Sequence, residues 1–262
     1  MDRFLAANVP IHIFDSTGKT MQHQQIINPD NDSKIIDSWF KNAAPWIVAI
    51  EERQIASRNL VTDRSIIDAV VSRGGQTVLD LGCGEGWLTR ALVAQGLDVL
   101  GTDIIPALID RARAMGLGNF ELASYAEVAA GKLGTKFDIV VANFSLIGAE
   151  SVESLFRSIP SLLNDGGAFI VQTLHPTISC GDLPYVDGWR ASSWDGFSDQ
   201  FVDPAPWYFR TLESWVKLYT KNGLSIVEIR EPIHPQTGKP AAIILIGVFI
   251  ETRLCSLINV AL

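Results

Sequence analysis

Eleven residues constrain this chain more than any others. In Val78-Leu79-Asp80-Leu81-Gly82-Cys83-Gly84-Glu85-Gly86-Trp87-Leu88 a short apolar run carries an acid near its end, glycine then takes alternate positions, and a helical pattern follows. This reads as a buried strand, a tight loop and a helix start. Glycine is called for where the backbone enters angles closed to residues with a Cβ and where a ligand approaches the main chain. The spacing discriminates between ligands. A dinucleotide fingerprint, G-x-G-x-x-G, would need its third glycine at position 87, which holds tryptophan, whereas G-x-G-x-G fits Gly82, Gly84 and Gly86.

A glycine loop alone also suits a purely structural strand-to-helix turn, so a second feature has to decide. Beyond a helix over 85–95, with Leu88, Leu92 and Val93 on one face and Gly96 as its stop, Asp98-Val99-Leu100-Gly101-Thr102-Asp103 forms another apolar strand closing on an acid. Asp103 lies 21 residues after Gly82, where one carboxylate can hold both hydroxyls of a ribose. The bland alternative is an Asp capping the helix that begins near Ile105-Pro106.

The order of elements supports the ligand reading. Phe137–Asn143 is a further buried strand, a helix over about 150–163 stops at Asn164-Asp165-Gly166-Gly167, and Gly166–Thr173 is the next strand. Alternation of strand and helix implies a parallel, doubly wound α/β sheet with ligands at the carboxyl ends of its strands, where Asp80, Asp103, Asn143 and His175 fall. Two more strands, near 224–230 and 242–250, are joined by a Pro- and Gly-bearing loop that suits an antiparallel hairpin.

Ahead of the first strand the pattern is helical. Asp32-Ser33 is placed to cap a helix through Ile36, Trp39, Phe40, Ala43 and Ala44; Pro45 should interrupt it, and Trp46, Ile47 and Ile50 continue the apolar face. Another helix starts at Asp63 and stops at Gly74-Gly75. Arg53 and Arg58, between them, are either solvated charges or a bidentate partner for a ligand carboxylate, and Arg58 is the favoured partner. The reading is a helical cap over 1–75 and a ligand-binding domain over 76–262, with an insertion at about 174–215.

The net charge of −8 disfavours a broad nucleic-acid surface, because each phosphate contact needs a cation. Cys83, Cys180 and Cys255 show neither pairing nor metal spacing, so a reducing cytoplasm and no metal site are expected. The longest apolar run, Ala241 to Ile250, is too short to span a bilayer, and no export signal is visible at Met1-Asp2-Arg3-Phe4.

From about Ala49 to Ile250 the chain resembles the class I S-adenosylmethionine-dependent methyltransferases. General similarity to the ubiquinone-biosynthesis O-methyltransferases lies in Leu79–Gly86 and in Gly101-Thr102-Asp103-Ile104. The resemblance implies a Rossmann-like, mostly parallel seven-stranded sheet with the C-terminal antiparallel hairpin as its hallmark. The implied cofactor is S-adenosylmethionine, leaving as S-adenosylhomocysteine. Asp80, Gly82, Cys83, Gly84 and Gly86 then form the loop around the methionine part, Asp103 holds the ribose, Ile104 packs on adenine, and Asn143 and Phe144 flank the methionine and sulfur. Many relatives carry an acid for the adenine amino group after the third strand. Here Ser124 and Tyr125 stand in its place, so that contact falls to Ser124 or to the main chain.

The acceptor has to be read from the insertion, which concentrates Tyr185, Trp189, Trp194, Phe197, Phe201, Trp207, Tyr208 and Phe209 among many Pro and Gly residues and should be irregular. Any single ring is best explained as pinning the loop to the core. Together Tyr185, Trp189, Trp194, Trp207 and Tyr208 suggest a lid over a dry pocket, with Trp39 and Trp46 as the opposite wall. His175 is the candidate base, against the alternative of a ring that bonds a loop carbonyl. The expected function is methyl transfer to an O or N atom of a small molecule, without nucleic-acid or membrane partners. The runner-up is a non-catalytic protein that binds the same cofactor as a sensor or assembly partner.

Overall fold

The computed structural model describes residues 31–250. Its centre is a seven-stranded sheet in the order β3-β2-β1-β4-β5-β9-β8. The strands are β1 (Thr77–Leu81), β2 (Asp98–Asp103), β3 (Asn119–Leu122), β4 (Phe137–Asn143), β5 (Leu163–Thr173), β8 (Leu224–Arg230) and β9 (Ile243–Phe249). The first five pair in parallel, and β9 runs antiparallel between β5 and β8. The chain order reverses between β1 and β4, which opens a crevice at their carboxyl ends.

Strand residues alternate between two packed faces. Leu79, Leu81, Val140, Ala142, Phe169 and Val171 pack against α6 (Glu150–Leu162) and α8 (Leu212–Lys221), through Val152, Leu155, Phe156, Trp215 and Tyr219. On the other face Val78, Ile139, Val141, Ala168, Ile170, Ile244 and Ile246 meet α2 (Asp63–Val71) and α3 (Trp87–Val93), through Ile66, Ala69, Val70, Leu88 and Leu92. Burying each Val, Leu, Ile or Phe side chain among them contributes about 1.5–3 kcal/mol. The sheet is therefore a rigid platform for the loops at its carboxyl edge.

Helix α1 (Asn31–Glu51) is continuous through Pro45, contrary to the expected interruption. The ring removes one hydrogen bond, but Ala43 before it and Trp46 and Ile47 after it dock on the same surface, Ile105 and Leu108 at the start of α4 (Pro106–Met115). Asp32 does not cap its own helix. Its carboxylate accepts from Ala149 N (2.9 Å) and Ser151 N (2.8 Å), and so caps α6 across 117 residues of sequence.

The insertion is less irregular than its composition suggests. After the short α7 (Pro176–Ser179), β6 (Gly188–Arg190) and β7 (Trp207–Phe209) form a two-stranded antiparallel ribbon. Its far segment is clasped to α1: the buried Asn42 amide donates to Val202 O (2.8 Å) and accepts from Val202 N (2.9 Å), and Ser38 donates to Asp203 O (2.7 Å). No described helix is long and apolar enough to cross a membrane.

Candidate functional site

The glycine loop leaves β1 with Gly82, Gly84 and Gly86 at φ 69°, 59° and 83°, all left-handed. The three are not equivalent. A Cβ at Gly82 would stand 2.5 Å from Ser145 Cβ and 2.8 Å from the Tyr125 hydroxyl, and one at Gly86 would stand 2.6 Å from the Phe120 ring, so both positions are closed by the protein itself. At Gly84 the nearest side-chain atom is Trp46 Nε1 at 3.8 Å. Gly84 therefore faces a cradle that a Cβ would fill.

The loop is tied to β2 by main-chain bonds from Gly82 N and Cys83 N to Thr102 O, at 2.8 and 2.9 Å. It is then tied to Asp103, whose two oxygens accept from Gly84 N (3.0 Å) and Ile105 N (2.9 Å). Burial raises the Asp103 pKa, and the amides of Ile105, Gly84 and Ile104 oppose it. Each carboxylate oxygen keeps further acceptor capacity beyond its one amide. Ile104 and Trp46 both pack on the α1–α4 cluster of Ala43, Ile105 and Leu108. Asp103, Ile104, Gly84 and Trp46 thus surround one spot, and they fit a ribose and its base: an anion for the diol, apolar faces for the ring, and a loop without side chain for close approach.

Asp80 has a different task. It is buried, accepts from Thr89 Oγ1 (2.8 Å) and so ties β1 to α3 behind the loop. Burial pushes its carboxyl up to about 7, against the Thr89 hydroxyl, with Glu85 and Asp103 adding to the rise. Unfolded, Asp80 titrates near 4, so between about pH 4 and 7 the folded chain holds a proton that the unfolded chain has released. This contribution to stability is complete below pH 4 and fades as pH rises to about 7, by up to ~1.4 kcal/mol per pH unit. Asp80→Asn should flatten that decline in urea titrations across this range; an unchanged pH dependence would contradict the assignment. Cys83 is buried and its thiol is pushed up, chiefly by burial, so it is a neutral packing group.

The β4 end supplies the other side of the crevice. Phe144 takes a left-handed φ of 53°, rare for a side chain of its size, and its N–H donates to Gln172 O (2.8 Å). Asn143 Oδ1 accepts from Gln172 Nε2 at 2.6 Å. Tyr125 donates to Ser145 O (3.1 Å) and Ser145 to Leu81 O (2.7 Å), a brace across the loop beside Gly82. Burial raises the Tyr125 pKa, so its phenol stays protonated. Ser124 is occupied as the cap of α5 (Tyr125–Ala129), in a reciprocal box with Glu127.

Arg58 opens a π-helical turn (Arg58–Thr62) whose closing bond runs from Asp63 N to Arg58 O. Its Nε donates to Asp63 Oδ1 (3.0 Å) and its guanidinium lies 4.5 Å from the Trp87 ring centroid. Trp87, the residue that breaks the dinucleotide spacing, thus carries the arginine beside the loop. Arg53 is exposed.

The aromatic residues of the insertion divide into two groups. Trp194 joins Trp39 (6.0 Å between ring centroids), Phe197 (5.5 Å) and Phe201 (4.7 Å), and Trp39 meets Trp46 at 5.1 Å, so this wall reaches the Gly84 cradle. Trp189 and Tyr208 pair on the small ribbon, while Tyr185 and Trp207 pack on Phe209. The Tyr185 hydroxyl also accepts from Leu212 N at 2.9 Å. The ribbon is fastened to the loop after β4 by Tyr208 N to Ile147 O and by buried Arg210, which donates to Gly148 O (2.7 Å) and Ala149 O (3.0 Å).

His175 is drawn the other way. Nε2 pairs with Glu231 Oε1 (2.7 Å), just past β8, and Nδ1 with Thr177 Oγ1 (2.8 Å), so both ring nitrogens are committed. Because β9 lies between β5 and β8, this contact leads away from β4 and the glycine loop. Ser145, Gln172 and Asn42 also brace the site, and nothing in the local sequence marks Ser145 or Asn42 for it. Only Gln172 carried a signal, as an amide in the otherwise apolar run Ala168–Val171.

A parallel sheet of this order with its antiparallel β9, the glycine loop and the acid at the end of β2 define a class I S-adenosylmethionine-dependent methyltransferase fold. The chain belongs to the methyltransferase-domain family, whose model matches residues 53–229; S-adenosylmethionine is the cofactor. Among curated proteins it is 24% identical to an uncharacterised methyltransferase of Schizosaccharomyces pombe, over 66% of this chain and 68% of that one. It is 33% identical to a ubiquinone biosynthesis O-methyltransferase of Xylella fastidiosa, over 44% of this chain and only 49% of the relative. Among solved structures, the Burkholderia thailandensis 1,6-didemethyltoxoflavin N1-methyltransferase superposes with a TM-score of 0.61 at 16% identity, covering 89% of this chain and 99% of that one. The magnesium protoporphyrin IX methyltransferase of Synechocystis gives 0.56 at 19% identity, covering 83% and 99%.

Proposed function

We propose that this protein transfers a methyl group from S-adenosylmethionine to an O or N atom of a small molecule. The observation that carries the reading is the Gly84 cradle, closed on one side by Asp103 and Ile104 and on the other by Trp46 of the aromatic wall. That solved relatives of the same fold include enzymes named for small ring compounds supports a small acceptor.

When bound, the cofactor supplies a methyl carbon on a positively charged sulfur. The chain's own contribution is alignment and exclusion of water. In this reading Asp103 orients the ribose, Ile104 faces the base, Asn143 and Phe144 border the reacting end, and Tyr125 and Ser145 stiffen the loop. Trp39, Trp194 and the β6–β7 ribbon, with Tyr185, Trp189, Trp207 and Tyr208, bound the acceptor side, and helix α1 and the insertion act together as the cover.

Arg58 is assigned to the cofactor carboxylate through the terminal guanidinium nitrogens that its Asp63 bond leaves over. Arg58→Ala should then weaken S-adenosylhomocysteine by about 1.5–3 kcal/mol, the range for charged hydrogen bonds. Adenosine, which lacks the carboxylate, should bind as before. Equal losses in calorimetry would move the role elsewhere.

His175 is assigned as a tie between the β5 end and Glu231, not as the base. His175→Ala should cost about 1–2 kcal/mol of stability through lost hydrogen bonds, with unchanged affinity for S-adenosylhomocysteine. A base would instead show a roughly 10²–10⁴-fold loss of turnover at full stability.

The function is tested by incubating metabolite extracts with methyl-labelled S-adenosylmethionine and identifying labelled products by mass. A labelled small molecule formed only with active protein supports transfer. Tight cofactor binding with no product from any extract would favour the sensor reading.

A further inference from the structure

Helix α1 meets the glycine loop and the insertion along a single stretch. Ser38, Asn42 and Trp46 follow one another at four-residue spacing, so they share a face of the helix, each about 6 Å along the axis from the next. One end of this stretch reaches the glycine loop. Trp46 Nε1 stands 3.8 Å from where a Gly84 Cβ would be, so a ligand atom seated on Gly84 meets the indole. The other end holds the insertion. Asn42, fully buried, treats Val202 as a neighbouring strand would, donating to its carbonyl (2.8 Å) and accepting from its N–H (2.9 Å). Ser38 donates to Asp203 O (2.7 Å), and Lys41 pairs with the Asp203 carboxylate (2.7 Å). Asp203 has a left-handed backbone, φ 46°, a state that persists where its surroundings impose it. Releasing residues 202–203 would leave the buried Asn42 amide short of partners, which is costly.

We propose that α1 is a strap through which an occupied Gly84 cradle holds the insertion closed, so that the cofactor binds first and the acceptor cover sets second. The inference rests on the cofactor assignment and adds to it an order of binding. Trp46 is only half-buried, and a ligand that covers it adds contact to α1 in the position that closes the Asn42 latch. The helix can carry that contact to residues 202–203 because it is continuous through Pro45 and seated on α4 by Ala43 and by Glu51, which accepts from Arg111 Nε at 2.6 Å. A second route runs through the rings, from Trp46 to Trp39 (5.1 Å between centroids) and on to Trp194 of the insertion (6.0 Å). Coupling of this kind is reciprocal: what the cofactor adds to the latch, the latch adds to the cofactor.

Hydrogen exchange on the full chain, with S-adenosylhomocysteine as the ligand, tests this without an acceptor. The Val202 amide, bonded to Asn42 Oδ1, should exchange about 5- to 150-fold more slowly in the saturated wild type than in the free protein, the usual span of coupling between two sites. The Asn222 amide, bonded to Tyr219 O at the far end of α8, should not change. Trp46→Leu should abolish the slowing at Val202 at saturating ligand. Asn42→Leu should leave Val202 exchanging fast with or without ligand, and should lose affinity for S-adenosylhomocysteine by the factor of the wild-type slowing. Unchanged Val202 exchange in the saturated wild type overturns the proposal, even if neither variant folds. So does equal slowing at Val202 and Asn222, which is general stabilisation, or slowing that survives Trp46→Leu. Failure of S-adenosylhomocysteine to bind the wild type in calorimetry is a separate result, which would overturn the cofactor assignment itself.

Discussion

Asp103→Ala should bind S-adenosylhomocysteine roughly 10- to 150-fold more weakly than the wild type, equivalent to about 1.5–3 kcal/mol for charged hydrogen bonds. Two effects combine. The variant loses the anion for the ribose hydroxyls, and it strips the Gly84 and Ile105 amides of their acceptor, loosening the loop. Asp103→Asn separates them, because an amide oxygen still accepts from one of these amides while the negative charge is gone. If calorimetry gives the alanine variant wild-type affinity, Asp103 is a loop brace and no more.

A second pair of variants should split stability from binding. Gly82→Ala places a methyl group 2.5 Å from Ser145 Cβ in a left-handed backbone, so overpacking and strain together should cost about 2–4 kcal/mol of unfolding free energy. Gly84→Ala has the same kind of backbone but open space, 3.8 Å to Trp46 Nε1, and should cost only about 1 kcal/mol of stability. Its methyl group projects into the cradle, however, so it should lose cofactor affinity at least tenfold, about 1.4 kcal/mol. Urea denaturation and calorimetry on both proteins check the contrast. A Gly84→Ala protein that binds normally would place the ligand elsewhere.

The contrast also shows how far the residues alone could lead. The pattern of strands and glycines foretold the sheet, because buried parallel strands read as apolar runs and a loop at φ near +60° to +80° admits little besides glycine. The antiparallel β9 followed from the short Pro-rich connection. What local pattern could not reveal was contact across the chain. Asp32 looked like the cap of its own helix, yet it caps α6, since a carboxylate serves whichever amides tertiary packing brings to it. Ser124 or its main chain is the expected adenine contact, and the pattern gave no sign that the Ser124 hydroxyl also closes a capping box with Glu127. His175 stands at a strand end, as expected of a base, but strand position does not say which way a ring turns, and Glu231 decides it. The insertion's rings were legible as a group; that Trp194 belongs with Trp39 and Trp46 while Tyr185 belongs to the ribbon depends on the Asn42 clasp, which leaves no trace in local sequence.

The most direct test of the account is a calorimetric titration of the wild-type protein with S-adenosylhomocysteine and, separately, with NAD. The glycine spacing, Asp103 and the open cradle at Gly84 predict saturable one-to-one binding of S-adenosylhomocysteine and no heat from NAD. Saturable NAD binding, or no binding of S-adenosylhomocysteine, would contradict it.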